Sequence, residues 1–153
     1  MKTLTFQNNQ IQSIFNTLDA TIIEQGKARR GKGKLQKSLI EADKEYQDNL
    51  KEIREEYFEV DEQGSIVKDE KGGWLAKEGK NEKEGTDKIQ ELLDEELKLD
   101  VLTYDTKLKA FYDKLNEDEF TTEKGKQFSD IAFDTLMDQL EEVFENNNEE
   151  ETA

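Results

Sequence analysis

The chain has 153 residues, enough for one domain of ordinary size. Hydrophobic residues make up 33% of it and charged residues 39%, well above the roughly 25% charge of an average soluble domain. Apolar residues must therefore be spent economically, one face per element, because every ordered residue costs conformational entropy. With 38 Asp and Glu against 22 Lys and Arg, the formal net charge is −16. Such a surface repels phosphate backbones and anionic membranes, and it attracts basic protein surfaces. There is no cysteine, histidine or proline. Disulfides, thiolate zinc sites and thiol nucleophiles are excluded. So is histidine acid–base and metal chemistry. This reading expects no enzyme, no cofactor and no metal. The first 20 residues lack a signal-peptide apolar core, and no apolar run approaches a membrane span. A cytoplasmic protein without membrane contact is expected.

Charge is uneven along the chain. Residues 1–40 hold seven basic and two acidic residues, a net of +5, and residues 41–153 a net of −21.

In chain order, Leu4 and Phe6 alternate with polar residues and predict a short strand over 3–7. Asn8 or Asn9 can cap the next helix. Ile11, Ile14, Phe15 and Leu18 lie on one helical face, with Ile22 extending it and Gly26 ending it. Residues 27–37 form a basic block whose Gly31 and Gly33 lower its helicity. From Leu35 the apolar positions Leu39, Ala42, Tyr46, Leu50, Ile53 and Tyr57 step by 4, 3, 4, 4, 3 and 4. They predict a long helix with one narrow stripe. Phe58 and Val60, the turn Asp61 to Gly64, and Ile66 with Val67 read as a hairpin. A second acidic turn, Asp69 to Gly73, leads to Trp74. Residues 77–85 read as a polar loop. Thr86 can cap a helix carrying Ile89, Leu92 and Leu93, and residues 97–101 alternate as a strand. Tyr104, Leu108, Phe111 and Leu115 predict a further helix, and Phe128, Ile131, Ala132, Leu136, Leu140 and Val143 or Phe144 a last one.

The expected fold class is α+β and mostly helical: one long amphipathic helix, about three shorter ones, and a small hairpin-based sheet built from 3–7, 58–67 and 97–101. Residues 1–144 form a single domain on this reading, and 145–153 an acidic disordered tail.

Among motifs, Gly26 to Lys32 matches the first seven positions of a phosphate-binding loop, but Gly33 stands where Ser or Thr must hold magnesium. The turn from Asp61 resembles the start of a calcium loop but has Gly72 at its twelfth position instead of Glu. Carboxylate pairs abound, and none stands out as an acid–base couple. The basic block is open to two readings, an external contact or pairing with the protein's own acids. Its Lys27, Arg29, Arg30, Lys32 and Lys34 are candidate partner contacts. Trp74, after two glycines, is a candidate anchor, although packing back onto the hairpin is the simpler role.

The opening Leu4-Thr5-Phe6, then Gly26-Lys27-Ala28-Arg29 leading to Lys34-Leu35, Val60-Asp61-Glu62 with Gly64, Leu92-Leu93 with Glu95-Glu96, Leu99-Asp100, and Tyr104 with Lys107-Leu108 carry a resemblance. The chain resembles a family of small uncharacterised proteins of tailed phages and prophages of low-GC Gram-positive bacteria. The resemblance implies a phage or prophage gene acting in the host bacterial cytoplasm, and it carries no activity. The function expected is non-enzymatic: an acidic protein that binds a basic surface of a host or phage nucleic-acid-handling protein, as inhibitor, modulator or nucleic-acid mimic. An accessory factor or chaperone in virion tail assembly is the alternative. No direct nucleic-acid contact is expected, and homo-oligomers are compatible with either reading.

Overall fold

The computed structural model describes residues 2–146, so most of the expected tail lies outside the described residues. Helical residues make up 62% of those described, and the strands form two small antiparallel sheets, which is the mostly helical α+β class the sequence implies. The elements are β1 (Thr3–Gln7), α1 (Ile11–Ala20), β2 (Thr21–Ile22), α2 (Gly26–Tyr57), α3 (Glu82–Asp94), β3 (Glu96–Asp100), α4 (Asp105–Asn116), β4 (Thr121–Thr122) and α5 (Asp130–Glu141). The chain divides into two compact units, residues 1–42 with 96–153, and residues 43–95.

In the first unit β1 pairs antiparallel with β3, Leu4 opposite Leu99 and Phe6 opposite Leu97. The free edge of β1 is closed at Thr5, whose N–H donates to Gln139 Oε1 of α5 at 2.7 Å. Leu4 and Phe6 of this ribbon are buried, as are Ile14 and Leu18 of α1 and Leu136 and Leu140 of α5. The stripe expected for α1 holds at Ile11, Ile14 and Leu18. Neither Asn8 nor Asn9 caps α1. Residues Asn8–Gln10 form a 3₁₀ turn, closed by reciprocal bonds between Gln7 and Gln10. Ile131 departs from the face expected of the last helix: it is 82% exposed, and Ala132 and Leu136 are buried instead. Phe128 precedes α5, whose cap is Ser129.

Gly26 starts a helix instead of ending one. The chain leaves α1 at Ala20, forms β2 against β4, and enters α2 at Gly26, so the basic block is helical throughout. Tertiary packing overrides the low propensity of its glycines. Ala28, Gly31, Leu35 and Leu39 are buried. At Gly31 the helix crosses α4 so closely that a Cβ would lie 2.2 Å from the Lys107 carbonyl oxygen.

The second unit holds the C-terminal part of α2, a set of turns, and α3. Its core is Leu50, Tyr57, Phe58, Ile89 and Leu92. α3 begins earlier than Thr86 predicts, because Asn81 caps it by accepting from the N–H groups of Lys83 and Glu84. Segment 58–67 does not join the sheet of 3–7 and 97–101. It forms isolated bridges within its own unit, Phe58 with Ala76, Val60 with Ile66, and Lys68 with Trp74.

Two outcomes follow. Gly31→Ala should lose about 1–3 kcal/mol of stability through overpacking at the helix crossing. Gly33→Ala, whose Cβ would meet nothing within 4 Å, should gain up to about 1 kcal/mol from propensity. Urea unfolding of the two variants checks the contrast. The second outcome concerns Tyr112, buried in the first unit, stacked on Phe144 and donating to Glu145 at 3.3 Å. Burial, and then the Glu145 charge, push its phenol up to about 12, against about 10 in an unfolded chain. Its stabilising contribution is complete below about pH 10 and is lost as pH rises toward 12. Absorbance titration should place one phenol near 12 in the folded protein, with unfolding promoted above pH 10.

Candidate functional site

The candidate contacts of the basic block all lie on α2. Lys27, Arg29, Arg30 and Lys34 are exposed and make no ion pair among the described residues. Neither does exposed Lys37. Of the other cations, Lys2, Lys51, Lys80, Lys83, Lys88, Lys98, Lys109, Lys114 and Lys126 pair with carboxylates, and the remaining seven, like the block, make no ion pair among the described residues. The arrangement also opposes the helix dipole, which favours acids in the first turn, where α2 has none. Lys32 is different. It is half-buried, its Nζ donates to the Thr21 carbonyl at 2.6 Å, and burial pushes its pKa down despite nearby Asp19. It ties α2 to β2 and is a structural residue.

Lys27 borders a pocket of about 300 Å³ shared with Lys2, Asp105, Thr106, Lys109 and Asp113. Both carboxylates there are engaged, Asp105 with Lys2 at 2.9 Å and Asp113 with Lys109 at 2.7 Å. The Lys2 hydrogen bond holds the Asp105 carboxyl below its usual range. The phosphate-loop resemblance dissolves, because residues 26–32 are the first turns of a helix and not a loop.

Trp74 lies in the second unit, in an arrangement that sequence reasoning missed. Three short segments, eight residues apart, close a ring of backbone bonds. Glu59 N–H donates to the Leu75 carbonyl at 2.9 Å, Leu75 N–H to Val67 at 2.9 Å, and Val67 N–H to Glu59 at 2.8 Å. Phe58, Ile66 and Trp74 repeat at the same spacing. Phe58 is buried, Ile66 packs on the core, and Trp74 meets Phe58 edge-on at 5.3 Å. Trp74 nevertheless stays 37% exposed, and Val67 and Leu75 of the same segments are exposed as well. The two turns between the segments are near copies. Asp61 Oδ1 accepts from the N–H groups of Gln63 and Ser65, and Asp69 Oδ1 from those of Lys71 and Gly73. Gly64 and Gly72 take the left-handed conformation that each turn requires. The carboxylates therefore work as turn acceptors, and among the described residues no acidic cluster could hold a metal ion. The signal was present in the sequence as Asp61/Asp69, Gly64/Gly72 and Phe58/Ile66/Trp74. It escaped notice because strands this short show no run of alternation.

With the geometry described, the chain can be assigned to a class. It belongs to a family described as protein of unknown function (DUF1617), whose model matches residues 2–149. No curated protein and no solved structure matches it. Among the described residues no helix is long and apolar enough to cross a membrane.

Asp69→Ala removes both side-chain acceptor bonds of its turn and should cost about 1 kcal/mol, whereas Asp69→Asn keeps the acceptor and most of the stability. Thermal melts of the two variants separate these outcomes.

Proposed function

We propose that this is a non-catalytic binding protein, encoded by a tailed phage or prophage and acting in the host bacterial cytoplasm. Its acidic surface engages a basic surface of a host or phage nucleic-acid-handling protein. The observation that carries this reading is the partly exposed Trp74 of the second unit. Trp74, Val67 and Leu75 are each exposed, on a segment that also carries exposed Glu59, Glu62, Glu70 and Glu78. An aromatic anchor amid carboxylates suits a partner that offers a pocket rimmed by Lys and Arg. The unit as a whole supports the same sign, with 18 acidic against 9 basic residues over 43–95. The exposed apolar side chains equally favour a second reading, an accessory role in virion assembly, in which apolar burial dominates.

Affinity capture from infected host lysate, washed at low and high salt and read by mass spectrometry, tests the proposal. The expected capture is a basic nucleic-acid-handling protein that is lost at high salt, and reduced at least tenfold by Trp74→Ala. A virion structural protein retained at high salt would replace this reading with the assembly role. Capture indifferent to Trp74→Ala would remove Trp74 from either account.

A further inference from the structure

Within the first unit, the exposed side of α2 carries a charge pattern that is independent of Trp74. At 3.6 residues per turn, positions 26, 27, 29, 30, 33, 34 and 37 fall on one side of the helix, opposite buried Ala28, Leu35 and Leu39. Lys27, Arg29, Arg30, Lys34 and Lys37 are exposed there, and none has an ion-pair partner among the described residues. No Asp or Glu occurs from residue 25 to residue 40. Acids beside this part of the helix are already engaged, Asp19 with Lys126 at 3.0 Å and Asp105 with Lys2 at 2.9 Å. Gly26 and Gly33 lie exposed among the cations, and a Cβ at either would meet nothing within 4 Å. A ligand can therefore approach the helix backbone between the long side chains.

We infer that this face binds the phosphate backbone of a nucleic-acid duplex. From Lys27 to Lys37 the helix advances about 15 Å, the axial length of about four phosphates of one strand. Arg29 and Arg30 can each grip a phosphate with two N–H groups. The positive end of the helix dipole adds to the same field, since the first turn of α2 has no acid. No aromatic residue lies between Phe15 and Tyr46, so unpaired bases have nothing to stack on along this face. An acidic protein is a poorer occupant, because the face offers no exposed apolar anchor before Ile40 at its end. An anionic membrane is poorer too, since the apolar side of this part of α2 is buried in the protein. The net charge of −16 opposes such contact on average. At physiological salt, however, charges are screened beyond about 8 Å, so the face sets its own local field.

Fluorescence anisotropy of a short labelled DNA duplex and of its RNA counterpart, titrated with the protein at about 0.05 M and about 0.2 M salt, tests the inference. Binding is expected at the lower salt and should weaken roughly a hundredfold at the higher. Equal affinity for both duplexes means that the backbone alone is read, and preference for one identifies the form of duplex that fits. Arg30→Gln with Lys34→Gln should lose at least tenfold in affinity and lower the slope of log K against log salt by about two. Lys68→Gln with Lys71→Gln removes the same charge from exposed positions of the second unit and should leave affinity and slope unchanged. Circular dichroism confirms the fold of each variant. No binding of either duplex at the lower salt would overturn the inference. So would equal losses from the two double variants, which would reduce the effect to net charge. Polyglutamate binding as tightly as the duplexes would overturn it too, and would assign the face to an acidic protein.

Discussion

The backbone contact between α2 and α4 at Gly31 sets the terms for much of the first unit. Only a hydrogen fits between the helix and the Lys107 carbonyl, so the axes approach closely and the buried line Ala28, Gly31, Leu35 and Leu39 can be built from small and aliphatic residues. That close packing holds a segment with six cations and two interior glycines in a helix. Intrinsic propensity alone would leave it frayed. Lys32 adds a tether to Thr21, which joins the start of α2 to the turn that leaves α1.

Fixing the block as a helix is what turns a basic stretch of sequence into a surface. In a loop, Lys27, Arg30, Lys34 and Lys37 would sample each other's repulsion and the nearest carboxylates. On a helix they are spaced along one line and held away from the protein's own acids, while nine other lysines find partners. The second unit does the comparable thing for Trp74. Three bridges and a closed ring of backbone bonds hold an aromatic residue partly exposed without a conventional sheet to support it.

Much of the fold was legible in the sequence. The stripe of α4 and most positions of those of α1 and the later part of α2 are buried as the 3.6-residue spacing implies, while Phe15, Ala42, Tyr46 and Ile53 are only half-buried. The strand at 3–7 and its partner near 97–101 were visible as alternation. The start of α2 was not, since Gly26, Gly31 and Gly33 vote against helix and only the distant Lys107 backbone explains them. Residues 58–67 read as a hairpin followed by a separate turn at 69–73, because each segment is too short to reveal its three-way pairing. The eight-residue echo of Asp, Gly and apolar positions was the available clue. Of the candidate contacts, Lys32 could not be told from its neighbours by sequence, because its role depends on where the Thr21 carbonyl falls.

Residues 27–37 are a fixed part of helix α2, and amide hydrogen exchange of the wild-type protein reads this residue by residue. The N–H groups from Arg30 through Lys37 should be protected to a degree comparable with those of Leu39 to Leu50 on the same helix. Exchange at unprotected-loop rates across 30–37, with protection beginning only near Leu39, would contradict the account.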